Sequence, residues 1–212
     1  ASFARLFAQA GMSVVLAARN TEKLAAMASE IDGTTIKCDV SNVGSVQAMF
    51  AQLDVDGAPD LVVYNPSART RGPLIDLDPA DVERAIRISA FGGFVVAQEA
   101  VKRMLAAGQG TILFTGASAS VKGYPQSSSF AMGKFALRGL AQSMARELQP
   151  KNIHVAHFVI DGGIRGDKHA ASDTPDSQLE PDAIAQSYLA VAKQHRSAWT
   201  WEMELRPWVE RF

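Results

Sequence analysis

The sequence predicts an α/β fold: one doubly wound parallel sheet with helices on both faces. Three observations predict it. Short strand-like runs alternate with helical ones along the whole chain. Helix-opening signals precede helical segments, with Asp78 as a cap before Pro79 and with Pro181 at a first helical position. Leu137, Leu140, Met144 and Leu148 recur at spacings of three and four, the period of an amphipathic helix.

In order, residues 13–17 (SVVLA) read as a short buried strand. Residues 21–30 read as a helix opened by Asn20 or Thr21. Residues 35–38 read as a strand, 43–53 as a helix and 61–64 (LVVY) as a strand. A helix starts at Pro79 and runs to about residue 107, with an interruption near Gly92-Gly93. Residues 111–114 (TILF) form a strand, 129–148 a helix and 154–160 a strand. Residues 181–194 form a helix and 199–205 a last strand. Residues 162–180 are the one long irregular stretch, mostly polar, and loops of that length are lids or mobile surface loops. No repeat or low-complexity tract breaks the pattern, so residues 1–212 read as a single domain.

Composition removes several function classes. The chain has 212 residues, 47% hydrophobic and 20% charged, enough for a sizeable core. A formal net charge of −1 offers no field for nucleic acid or an anionic membrane. No apolar run approaches the roughly 20 residues of a membrane span. Cys38 is the only cysteine, so no internal disulfide forms, which points to a reducing, cytoplasmic setting. No metal site is expected: the four histidines form no ligand cluster, and His154 and His157, three apart on a strand, point to opposite faces. Residues 1–10 read as a helix entered without a cap or signal-peptide pattern. In a dinucleotide-binding fold such a helix follows a first strand and a glycine-rich, pyrophosphate-binding turn. Neither is found here, so the expectation is a fragment of a longer protein that binds dinucleotide weakly by itself.

Five segments carry a family resemblance: LAARN at 16–20, CDV at 38–40, YNPSA at 64–68, FTGASASVKG at 114–123 and SFAMGKFALRGLAQSMAREL at 129–148. Together, in this order and spacing, they resemble the short-chain dehydrogenases/reductases, a family of NAD(P)-dependent oxidoreductases with a Rossmann-like fold. The resemblance implies a cofactor site and a homodimer or homotetramer that pairs the helices at 79–107 and 129–148. Arg19, just past the second strand of that fold, suits a 2′-phosphate better than the 2′-hydroxyl that an acid would bind, so NADP(H) is favoured over NAD(H); the alternative is a solvated arginine. Asp39 matches the family's adenine contact, or caps a turn, and Val40 packs on the adenine. Asn65 borders the cofactor. Asp161 and Gly162 stand in for the family's PG turn beside the nicotinamide carboxamide, or simply form a turn.

The resemblance also implies a catalytic set of Asn, Ser, Tyr and Lys. Lys134 matches the lysine. Phe130 occupies the position of the tyrosine, Ala117 that of the serine with Ser118 or Ser120 close by, and Ser89 that of the asparagine. A phenyl ring has no proton to give, and a positioned acid is worth roughly 10²–10⁴ in rate. The expectation is therefore an atypical subgroup with phenylalanine in place of the catalytic tyrosine, and an NADP(H)-dependent oxidoreductase of unknown small-molecule substrate with a degenerate site. The alternative is a non-catalytic nucleotide-binding or assembly protein. Tyr124 and Tyr188 remain as other possible hydroxyls. Trp199, Trp201 and Trp208 read as packing and interface residues.

Overall fold

The structure is a computed structural model that describes residues 1–166 and 174–210. Its elements alternate along the chain as α1 (Ser2–Gln9), β1 (Val15–Ala18), α2 (Ala25–Glu30), β2 (Thr34–Lys37), α3 (Val43–Leu53) and β3 (Leu61–Tyr64). There follow α4 (Pro79–Ile86), α5 (Gly92–Ala107), β4 (Gly110–Thr115), α6 (Ser128–Leu148), β5 (Ile153–Ile160), α7 (Pro181–Ala192) and β6 (Glu202–Leu205). Every strand pairing is parallel, as the alternation requires. The chain forms two compact units.

The first unit comprises Ala1–Asp39, Gly162–Lys193 and Arg206–Phe212. Its sheet is the pair β1–β2, in register from Val15 opposite Thr34 to Ala18 opposite Lys37. Ala4 and Phe7 give α1 its buried face. Phe3, on the same helix, lays its ring 4.5 Å from that of Tyr188 on α7. The long irregular stretch is partly tied down: Ile164 bridges Leu179, and Arg165 pairs with Glu180 at 2.8 Å. The rest of that stretch, residues 167–173, lies outside the described residues.

The second unit comprises Val40–Asp161 and Gln194–Leu205. Its sheet runs β3-β4-β5-β6, and every residue of β5 is buried. Such a strand must be apolar or internally paired, which sets the terms for His154 and His157 below. Asp78 caps α4, its carboxylate accepting the Ala80 N–H at 2.8 Å, with Pro79 at the first helical position. The expected interruption in this long helix is a π-turn over Arg87–Phe91, which ends just before Gly92-Gly93, and the helix continues through it. The Tyr64 hydroxyl donates to the Ile88 carbonyl, which satisfies a carbonyl within the widened turn.

Other boundaries move by up to four residues. The last strand starts at Glu202 rather than 199. Gln194 folds residues 195–201 into a closed turn: its side chain accepts from the Thr200 N–H at 2.8 Å and donates to the Thr200 hydroxyl at 2.9 Å, and its carbonyl accepts from Trp199 Nε1. Of the three tryptophans, Trp199 stacks on His154 with centroids 4.7 Å apart, Trp201 lies under Arg138, and Trp208 is largely exposed. Among the described residues no helix is long and apolar enough to cross a membrane.

Candidate active site

Seven of the ten candidate residues follow the carboxyl end of a strand, the end at which open α/β sheets bind ligands, and Lys134, Phe130 and Ser89 stand on helical segments. In the first unit, Arg19 follows β1 and Asp39 closely follows β2. Arg19 is exposed and has no acidic partner among the described residues. Gly162 has φ +146°, and a Cβ there would stand 2.6 Å from Pro207 Cδ, so both conformation and space demand glycine.

In the second unit, Val40 is half-buried and Asn65, just after β3, is exposed. Asp161 follows β5, is 4% exposed and accepts from Lys122 Nζ at 3.1 Å. One of its oxygens is thus already held by a lysine. Lys134 is 2% exposed, and its Nζ donates to the Thr115 carbonyl at the end of β4 at 2.7 Å. Burial pulls its pKa down from 10.5 to about 8, because no carboxylate compensates the ammonium. The Phe130 ring, one turn earlier on α6, has its centroid 5.8 Å from that Nζ. The two side chains share a face, as their spacing implies.

Ser89 is wholly buried in the π-turn. Its Oγ accepts from the Ala68 N–H at 3.1 Å and donates to the Ala68 carbonyl at 3.3 Å, so it clamps the loop after β3. A Cβ on Gly133 would stand 2.8 Å from Ser89 Cβ; the glycine before Lys134 is what allows α6 to approach the clamp. Ser118 opens the 3₁₀ turn after β4 and is half-buried, while Ser120 at the end of that turn is fully buried.

A buried polar chain supports this turn. Ser120 Oγ accepts from the Ala117 N–H at 3.1 Å and lies 3.3 Å from His157 Nε2. His157 Nδ1 lies 3.1 Å from Glu202, and Arg138 donates to both oxygens of Glu202 at 2.6 and 2.8 Å. Burial lowers the His157 pKa to about 4 and outweighs the attraction of Glu202, so the imidazole is neutral. Neutrality fixes the directions of the hydrogen bonds: Nδ1–H donates to Glu202, and Nε2 accepts from the Ser120 hydroxyl. Burial pushes the Glu202 carboxyl up, but the Arg138 guanidinium more than reverses this. His154, in contrast, uses Nε2 on the Thr200 carbonyl and leaves Nδ1 without a partner.

A profile of the family described as short chain dehydrogenase matches residues 1–173. The chain belongs to the short-chain dehydrogenase family. Among solved members, a short-chain dehydrogenase from Rhodopseudomonas palustris is 37% identical, with a TM-score of 0.84 over 98% of this chain and 92% of that one. A metagenomic short-chain oxidoreductase in complex with NADP is 25% identical, with a TM-score of 0.84 over 99% and 91%. The NADPH-dependent 1-acyldihydroxyacetone phosphate reductase of Saccharomyces cerevisiae is 28% identical over 178 residues, 81% of this chain. This chain spans 59% of the length of that yeast relative.

One expectation is overturned. The chain is not a member of an atypical subgroup that has exchanged its tyrosine for phenylalanine, since it retains Tyr188, fully buried in an aromatic cluster. Counting four residues back from Lys134 looked for the hydroxyl at one place on one helix only. Phe130 does stand at that place, but the count is blind to hydroxyls carried on other elements.

The serines at 127–129 and the Ser120–His157–Glu202–Arg138 chain escaped the sequence reading. The run Ser127-Ser128-Ser129 at a helix start was a usable signal, since serine hydroxyls at helix starts readily bond to backbone groups, although the partners of Ser127 and Ser129 lie in the distant loop after β3. His157 gave no signal, because its partners lie 37 and 45 residues away.

Proposed function

We propose that this chain is an NADP(H)-dependent oxidoreductase that interconverts a carbonyl and an alcohol on a small molecule. The observation that carries this reading is Lys134: a buried ammonium with no acidic partner among the described residues, at the carboxyl end of a parallel strand in a short-chain dehydrogenase fold. The residues fit a phosphorylated dinucleotide. Arg19 offers an exposed guanidinium for a 2′-phosphate, and Lys134 has two donors beyond its bond to Thr115. The names of the yeast reductase and of the metagenomic structure both carry NADP, which supports the same choice.

In this reading Arg19 holds the 2′-phosphate, Asp39 and Val40 the adenine, Asn65 the ribose border, and Asp161 with Gly162 the carboxamide. NADP(H), when bound, supplies or takes up the hydride. Lys134 holds the nicotinamide ribose and lowers the pKa of a neighbouring hydroxyl. Ser118 polarises the carbonyl from a turn that Ser120 and His157 hold in place. Phe130 walls the site, and Ser89 braces the loop opposite. The proton donor is tested with Tyr188→Phe and Tyr124→Phe; a loss of roughly 10²–10⁴ in kcat with unchanged melting temperature assigns it. The assembly is a homodimer or homotetramer through the helical stretch 79–107 and α6, where Phe91, Phe94, Leu105, Met132 and Phe135 are exposed. Light scattering at micromolar concentration checks this, and a monomeric mass counts against it.

The reading is tested by following NADPH oxidation against a panel of ketones and enones, with NADPH binding measured in parallel. Turnover that disappears in Lys134→Met supports it. Binding without any turnover favours a nucleotide-binding or assembly protein of the same fold.

A further inference from the structure

The loop after β3 carries Ala68-Arg69-Thr70, and serines fix it at three points. Ser89 Oγ bonds to both the N–H and the carbonyl of Ala68. Ser129 Oγ accepts from the Thr70 N–H at 3.2 Å and donates to the Thr70 carbonyl at 2.7 Å. Both serines are wholly buried. Between these two clamps the Arg69 side chain is itself held. One Nη donates to the buried Ser127 hydroxyl at 2.9 Å, and the guanidinium carbon lies over the Phe130 ring, 5.0 Å from its centroid.

Arg69 has no carboxylate within ion-pair distance among the described residues. The charges nearest its site make matters worse. Arg71 is a second cation two residues on, and Lys134 stands 5.8 Å from the same phenyl ring. Partial burial, followed by repulsion from Arg71, pulls the Arg69 pKa down. A fold that only needed to solvate this arginine would let its side chain move. Arg69 is exposed, yet its backbone is clamped on both sides and its side chain is held by Ser127 and Phe130, so less entropy remains to be lost when a ligand binds. Of the five guanidinium donors one is used by Ser127, and the remaining fork matches an oxyanion.

We infer that Arg69 is the substrate's anion clamp: the substrate of the proposed oxidoreductase carries a carboxylate or phosphate that pairs with this guanidinium. The inference rests on that reading of the site. The anion binds Arg69, a short apolar spacer lies on Phe130, and the reacting carbonyl is directed toward Lys134 and Ser118. The substrate class is therefore oxo-acids or phosphorylated ketones, together with the matching alcohols, rather than neutral ketones.

The test uses matched pairs of ketones with the full protein and NADPH: levulinate against its methyl ester, and dihydroxyacetone phosphate against dihydroxyacetone. The wild type should favour at least one anion over its neutral partner by about tenfold or more in kcat/KM, and salt should erode that preference. Which pair shows the larger ratio tells carboxylate from phosphate. Arg69→Gln should abolish the preference mainly through KM, and Arg69→Lys should restore part of it, since charge without the fork is a partial substitute. Equal kcat/KM within both pairs, or a preference that survives Arg69→Gln, overturns the clamp and leaves the oxidoreductase reading intact. If nothing turns over, calorimetric titration of levulinate and of dihydroxyacetone phosphate into NADPH-loaded protein decides. Binding lost in Arg69→Gln upholds the clamp while the oxidoreductase reading fails; no binding by either anion overturns the clamp.

Discussion

The two sheets of this molecule treat their residues differently. In the four-stranded sheet β5 is buried along its whole length, and the polar groups at its carboxyl end are locked into named bonds: Ser120 to His157, His157 to Glu202, Lys122 to Asp161. In the two-stranded sheet β1 alternates between exposed and half-buried positions, β2 is exposed at both ends and half-buried between, and Arg19 just after β1 is bound to nothing among the described residues. The first region is built like a reaction centre, where groups must be held in place before substrate arrives. The second is built like a recognition surface, where a mobile cation suffices to choose between two cofactors. A substitution in the first region should therefore cost rate or stability, and one in the second should cost only selectivity.

The largest break in this contrast is expected at Lys134. Lys134→Met should lower kcat/KM by roughly 10²–10⁴ in the NADPH oxidation assay, since it removes the one buried lysine or arginine among the described residues. A loss below tenfold would place the chemistry elsewhere. The same residue gives a signature separate from rate. Its pKa near 8 should rise when a polyanionic cofactor binds, so NADPH binding at pH 8.5 should take up a proton. Calorimetry in two buffers of different ionisation heat reads this uptake, and Lys134→Met should remove it.

The next effect concerns stability. His157 is held neutral with a pKa near 4, whereas the unfolded chain protonates it at about 6.5. The folded pKa is depressed, so the unfolded state binds more protons between those values. His157 thus costs nothing above about pH 6.5, and stability falls as the pH drops from there toward 4, by up to about 3 kcal/mol. Denaturant melts of the wild type and His157→Gln from pH 4 to 8 should diverge in slope within that window. Parallel curves would mean that the imidazole is protonated in the fold.

A smaller effect is expected from the clamps on the loop after β3. Ser129→Ala leaves the Thr70 N–H and carbonyl without their partner, at about 1–2 kcal/mol of stability. Because Arg69 is the next residue, KM for the preferred substrate should rise more than kcat falls. A change confined to the melting temperature would mean that the clamp serves the fold alone.

Much of the fold was legible in the sequence, because parallel strands and amphipathic helices write their periods locally. The helix 43–53 and the strand 61–64 stand where the pattern put them, and Asp78-Pro79 opens its helix as expected. The strand expected from 199 was read too long, since alternation cannot reveal that the Gln194 side chain folds residues 195–201 into a turn. The candidate site was legible only where a motif fixed a position. Lys134 and Phe130 share a face as their spacing demands. The reading then extended one empty motif position to the whole family subgroup and went wrong, because tyrosines elsewhere in the chain carry no spacing signal relative to Lys134. Ser89 was read only as standing where the family has an asparagine; its bonds to the Ala68 backbone need a partner that only the folded loop supplies.

The smallest expected effect belongs to the recognition surface. Arg19→Ala should narrow the gap between NADPH and NADH affinities by about tenfold, or about 1.4 kcal/mol, with unchanged melting temperature. The wild-type side of that comparison tests the central claim most directly. Calorimetric titration of NADPH and NADH into the protein should give NADPH binding that is weak but measurable, and tighter than that of NADH. Equal affinities would remove the choice of NADP(H), and binding of neither would contradict the oxidoreductase reading itself.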